Sequence, residues 1–399
     1  MKECENIMRL SKYRIVIAII VAAATASTTA AEEPAPRSVH AGKVKLLQVP
    51  SKGIQPQVIM DDKGVLHLIY FQGDPRHGDI FYVHSDNEGG DFSHPLRVNS
   101  VPGSAIAIGN IRGAHLALGK NGRVHVAWNG SGYKGSENEG MYYARLNDKS
   151  TAFEEQQNVI TSAKGLDGGG SVAADDSGHV YVVWHAPEPG SKGEEHRRVW
   201  VASSTDEGKT FVPEKAVFDK ETGACGCCGL RAFADHKGSV YVLYRSAAQR
   251  VQRDSYLLIS KDKGASFQGD NLHPWKIEAC PMSSFAFAEG PADVLAAWET
   301  NGQVYFARID PATGKTSAPI SAPGDSRDRK HPVVASNKKG QLLLAWTEGM
   351  GWQRGGSVAW QVFDKDGKPT AEKGNAAGVP MWSLVAVFPR ADGGFTIVY

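Results

Sequence analysis

An excess of charge of either sign is missing from this chain. Its 399 residues carry 44 lysines and arginines against 43 acidic residues, a formal net charge of +1 at pH 7. No basic stripe runs through it, which argues against a nucleic-acid partner. A membrane-spanning run is missing as well: the apolar stretch Ile15 to Ala24 is too short to cross a bilayer comfortably. Convincing helical periodicity is missing from Glu32 onward. The glycine-rich stretch Asp167-Gly168-Gly169-Gly170-Ser171 has no Lys-Ser/Thr after it, so it is not a phosphate loop. Cysteine is scarce, and four of the five cysteines fall at only two places, Cys225, Cys227 and Cys228 at one and Cys280 at the other.

What is present first is an N-terminal leader. Lys2, Arg9, Lys12 and Arg14 precede the apolar run, and small residues follow it through Ala31. A basic region, an apolar core and a small-residue cleavage site predict a secretory signal over 1–31. A Pro-containing linker (32–42) and one domain (43–399) follow, expected to work in the periplasm or outside the cell. Within that domain an aromatic closes a strand-like run seven times, at Tyr70, Trp128, Trp184, Tyr244, Trp298, Trp346 and Tyr399. Glycines at 64, 122, 178, 238, 340 and 393 precede most of these runs. One four-stranded unit repeated at this period predicts an all-β fold, a β-propeller. The seventh unit is short, with strands only over 383–388 and 395–399. A strand over 43–49 is expected to join it, giving seven blades with the last shared between the N- and C-terminal ends and no free edges. Six blades plus a terminal hairpin is the alternative.

Two segments share the pattern Ser-x-Asp-x-Gly-x-Ser/Thr-Phe: Ser204 to Phe211, with Asp206 and Gly208, and Ser260 to Phe267, with Asp262 and Gly264. Ser85 to Phe92 is a near match with Asn87 at the Asp position. These segments resemble the Asp-box (BNR) repeats of sialidase-like propellers. The resemblance implies a structural turn between the third and fourth strands of a blade, away from the functional face. Cys225 to Trp298 also resembles a subgroup of secreted bacterial members with a Cys-x-Cys-Cys…Cys-Pro signature.

In a propeller the starts of the inner strands and the loops between second and third strands converge on one channel mouth. Sialidase chemistry there needs arginines to clamp a sugar carboxylate in bidentate geometry. Arg231, Arg245 and Arg253, in one blade, are the candidates, with His185 and Trp352 as further ligand contacts. By the resemblance, Glu299 and Glu348, each one or two residues past a strand-closing Trp, are the candidate catalytic carboxylates of an exo-sialidase. The family's Phe-Arg-Ile-Pro-type motif is missing, and no Tyr/Glu pair stands out.

The cysteines admit other chemistry. Adjacent blades are expected to bring Cys225, Cys227, Cys228 and Cys280 together at the mouth. Outside the cytoplasm disulfides are the default, although neighbours Cys227 and Cys228 are too close along the chain to bond each other. A soft-metal site is the alternative, with copper or zinc held by the thiolates and by His331. Recognition, with or without hydrolysis, of an anionic glycan is thus the leading expectation. A metal-binding propeller and a non-catalytic protein-interaction scaffold are the other two.

Overall fold

The repeated turn between the first and second strands explains why each unit folds back on itself. In the computed structural model, which describes residues 43–132, 139–325 and 328–399, Asp61 Oδ1 accepts hydrogen bonds from Lys63 N (2.9 Å) and Val65 N (2.8 Å). Asp175, Asp235 and Asn337 do the same for the residues two and four positions on. A left-handed glycine stands at the fourth position in each, at Gly64, Gly178, Gly238 and Gly340. The short polar side chain thus replaces a backbone partner inside a tight reversal. The β-branched and aromatic runs on either side then pair as strands.

Seven sheets result. Blade 1 is Ile54–Met60, Leu66–Asp74, His77–Ser85 and Leu96–Arg97, paired in that order. Blades 2 to 6 repeat the antiparallel order, with inner strands His115–Leu118, Ser171–Ala174, Arg231–Ala234, Phe285–Glu289 and Arg329–Ser336. Blade 7 has three strands, Ala386–Pro389, Phe395–Val398 and Val44–Leu47. The closing pair is parallel, with Val44 opposite Phe395 and Leu47 opposite Val398. The ring therefore has seven blades sealed between the two ends of the domain, and the six-blade alternative falls. The predicted signal and linker lie outside the described residues. Among the described residues no helix is long and apolar enough to cross a membrane.

Six of the seven repeated aromatics are fully buried, and Tyr399 is half-buried. They fill the seams between blades: Trp184 packs with Met141 and Tyr143 of the preceding blade, and Trp298 with Tyr241 and Leu243. Large aromatic area in these seams is the main cohesive term holding neighbouring blades together. The Ser-x-Asp segments are turns between third and fourth strands. Ser204 Oγ donates to Asp206 Oδ1 (2.7 Å) and accepts from Gly208 N (2.9 Å), while Asp206 Oδ1 accepts from Thr210 N (2.9 Å). Ser260, Asp262 and Gly264 repeat this, and Ser85, Asn87 and Gly89 follow with an amide in place of the acid. Phe211 lies edge-on to Tyr143 of the preceding blade, ring centroids 4.9 Å apart, and Phe267 packs in the next seam. Each turn is therefore a staple between blades. The hydrogen bond from Thr210 N leads those that hold the Asp206 carboxyl down at about 2, and the Ser266 hydroxyl leads those at Asp262, also about 2.

Candidate functional site

The segments that lead into the inner strands form a continuous collar around the channel mouth. Gln55 Nε2 donates to Ala107 O and Trp382 O, and Asn110 Nδ2 to Ser383 O. Arg112 reaches Asp167 (2.6 Å), Gly229 N donates to Ser283 O (3.0 Å), and Ser284 Oγ meets His331 Nδ1 (3.1 Å). Non-glycine residues with left-handed backbone recur in this collar at Gln55, Asn110, Met282, His331 and Trp382. Such conformations are costly and persist only where surrounding contacts over-determine them.

The thiols sit in this collar. Cys225, Cys227 and Cys228 are each about 1% exposed, and their three sulfurs lie within 4.8 Å of one another. Cys225 Sγ and Cys227 Sγ lie 3.4 Å apart, too far for a disulfide bond. Cys280 and Met282, from the segment entering blade 5, pack against the trio. Cys228 O accepts from His185 Nε2 (2.9 Å), and His185 Nδ1 accepts from Arg197 Nε (3.2 Å), which fixes the imidazole tautomer. Burial pushes the His185 pKa down to about 4, so the ring is neutral.

Cations surround the trio. Burial opposes ionisation of Cys228, yet the hydrogen bonds from Cys225 and Cys227 and the charge of Arg245 hold its thiol well below the usual range. Burial drives Cys225 the other way, well above it. These opposed shifts put the negative charge on Cys228 and the proton on Cys225. Arg253 donates to Glu194 Oε2 (2.7 Å), whose Oε1 accepts from Gly226 N (2.6 Å), so a carboxylate bridges that arginine to the Cys-x-Cys turn.

Several chains of known structure share this architecture. The Hadza microbial sialidase Hz136 aligns over 75% of this chain at 14% identity, TM-score 0.50. A Penicillium chrysogenum alpha-L-arabinanase complexed with arabinobiose covers 80% at 13% identity, TM-score 0.51, and AofleA from Arthrobotrys oligospora 82% at 10%, TM-score 0.50. The fold these chains share with it is the β-propeller. The alignments extend over 64%, 95% and 86% of those three chains, so this chain spans under two thirds of the sialidase. No protein-family model and no curated protein matches the sequence.

Within that fold the expected arginine clamp is not assembled. Arg245 is fully buried and spends its guanidinium on Ser283 Oγ (2.8 Å), Arg253 O (2.6 Å) and Glu299 O, stacked on Trp275 at 4.9 Å. Arg231 points into the channel bore, toward Gln57 of blade 1. Arg253 keeps to the thiol side. The three share a blade but point in different directions, because Arg231 opens its first strand, Arg245 ends its second and Arg253 lies in the loop before its third.

The carboxylates differ just as much. Glu299 is buried, its Oε1 accepts from Gly302 N (2.8 Å), and burial raises its pKa. Glu348 Oε1 accepts from Trp346 Nε1 (2.8 Å) and Arg329 Nε (3.3 Å), so it anchors the blade 6 aromatic. His331 lines the bore against Ser284, with its pKa pushed down to about 3 by burial, and falls outside the three-sulfur set. Trp352, 40% exposed, meets Trp382 edge-on at 6.2 Å, with Met381, 41% exposed, beside them. Sequence reasoning missed Arg197 and Glu194, the groups that hold His185 and the Cys-x-Cys turn. The polar run Glu194-Glu195-His196-Arg197 after a glycine was the available signal.

Proposed function

We propose that this chain is an exported soft-metal-binding propeller in which Cys225, Cys227 and Cys228 take Cu(I). The observation that carries the reading is the buried convergence of three sulfurs within 4.8 Å. Thiolate and thioether donors select a soft monovalent ion over hard cations. Met282 or Cys280, packed against the trio, is at hand as an outer donor. Burial keeps competing water away, and the cationic charge of Arg245 and Arg253 offsets the negative charge of a copper–thiolate centre. The chain's own part is to hold the thiols, fix the loop through His185 and Glu194, and exclude solvent.

The test is Cu(I) titration of the reduced full chain against a chromophoric chelator, with thiols counted in parallel. One ion bound per chain, lost in Cys227→Ser and in Cys228→Ser, supports the reading. A protein purified without reductant, metal-free and with no titratable thiols, refutes it in favour of disulfides.

A second reading, recognition of a glycan at the rim, is favoured by the exposed Trp352 and Met381, with Arg112 reaching the same Gly109 as Trp352, since aromatic faces of this kind receive sugar rings. Its test is a glycan-binding panel read on wild type and Trp352→Ala. Turnover of a fluorogenic sialoside, lost in Glu299→Gln, is the result that would make it an enzyme.

A further inference from the structure

The bore of the ring holds an arginine with no acid. Arg231 opens the inner strand of blade 4, and its Nη1 donates to Gln57 Oε1 (2.7 Å) on the inner strand of blade 1, across the channel. Gln57 is neutral. The cavity around the two, about 80 Å³, is lined on its polar side by Gln55, Asn110, His115, Ser284 and His331, and no aspartate or glutamate lines it. Among the described residues Arg231 forms no ion pair, in contrast to Arg112, Arg145, Arg253, Arg329 and Arg390, each paired with a carboxylate. A half-buried guanidinium among apolar walls, with no carboxylate beside it, is a ready partner for a negative group.

A neutral imidazole stands next to it: Ser171 Oγ accepts from Ala232 N (3.0 Å) and meets His115 Nδ1 (2.7 Å), which holds the ring in place. Burial, then the charge of Arg231, keeps His115 neutral. His331, on the far wall, is neutral for the same first reason. The remaining lining is apolar, including Val58, Phe287, Val334 and Val387. Such walls favour a weakly hydrated ion over a doubly charged one.

We infer that the central channel is an anion site, in which Arg231 binds a small monovalent anion, a halide or a carboxylate group. This site is separate from the thiol trio and stands whether or not the trio binds copper. The full chain is held at fixed ionic strength in gluconate, which is too bulky for the cavity, and bromide or formate is exchanged in. A saturable rise of the thermal midpoint in wild type, absent in Arg231→Gln of unchanged circular dichroism, is the expected result. A rise confined to bromide assigns the site to free inorganic ions, and one with formate extends it to carboxylates. Equal responses of wild type and Arg231→Gln would overturn the inference. If the variant fails to fold, anomalous scattering from bromide in wild-type crystals decides: a peak at Arg231 supports the site, and peaks only elsewhere refute it. Cys227→Ser is expected to keep the full anion response.

Discussion

Replacing Gly208 by alanine tests whether the Ser-x-Asp turns act as staples between blades. Gly208 has φ of +79°, and an added Cβ would stand 1.8 Å from Tyr143 Oη. That hydroxyl is hydrogen-bonded to His125 Nδ1 (2.6 Å) in the core of the neighbouring blade, with Phe211 against the ring. The left-handed backbone alone costs an alanine about 1 kcal/mol. Displacing a buried tyrosine adds about 1–3 kcal/mol of overpacking and about 1–3 kcal/mol for the weakened buried hydrogen bond. Gly64→Ala is the control, because Gly64 has φ of +82° and nothing within 4 Å of its added Cβ. Urea denaturation should therefore show a loss of about 1 kcal/mol for Gly64→Ala and about 4 kcal/mol for Gly208→Ala. If the two variants lose the same stability, the turn does not bear on the adjoining blade and the staple argument fails.

His125, held neutral with its pKa pushed down to about 3 by burial, makes stability depend on pH. The unfolded chain takes up this proton below about pH 6.5 while the folded chain refuses it. Wild type should thus lose about 2 kcal/mol between pH 7 and pH 5 from this group, and His125→Asn should show a shallower slope in the same denaturation series. Arg253→Met, which removes a cation beside the thiols, is expected to weaken Cu(I) binding about tenfold in chelator competition, equivalent to ~1.4 kcal/mol; an unchanged affinity would remove Arg253 from the site. A chain lacking residues 43–49 leaves Phe395–Val398 with an open edge, and sedimentation should show concentration-dependent self-association.

The architecture was readable because its signal is periodic. Seven aromatics at a steady interval mark seven seams, and the short last unit demands a strand from elsewhere. The Asp/Asn-x-x-Gly reversal at 61, 175, 235 and 337 is equally visible, its glycine marking each turn. The thiol trio was legible because its members are adjacent in sequence, so any loop conformation keeps them close. The arginine clamp was not legible. Loop position says which residues reach the mouth, but whether Arg245 turns into the seam or Arg231 into the bore depends on strand phase and on acceptors such as Ser283 and Gln57. Glu348 illustrates the same gap, since its tie to Trp346 arises only once the blade has formed.

The parallel seal between Val44–Leu47 and Phe395–Val398 sets an order on folding. During synthesis Val44–Leu47 emerges long before its neighbour and remains without it until nearly every other blade has been made. Closing so long a loop is entropically slow. A nascent chain accordingly presents an open arc, and the collar that gathers Cys228, Ser283 and Gln55 acquires its final shape only when the circle is complete.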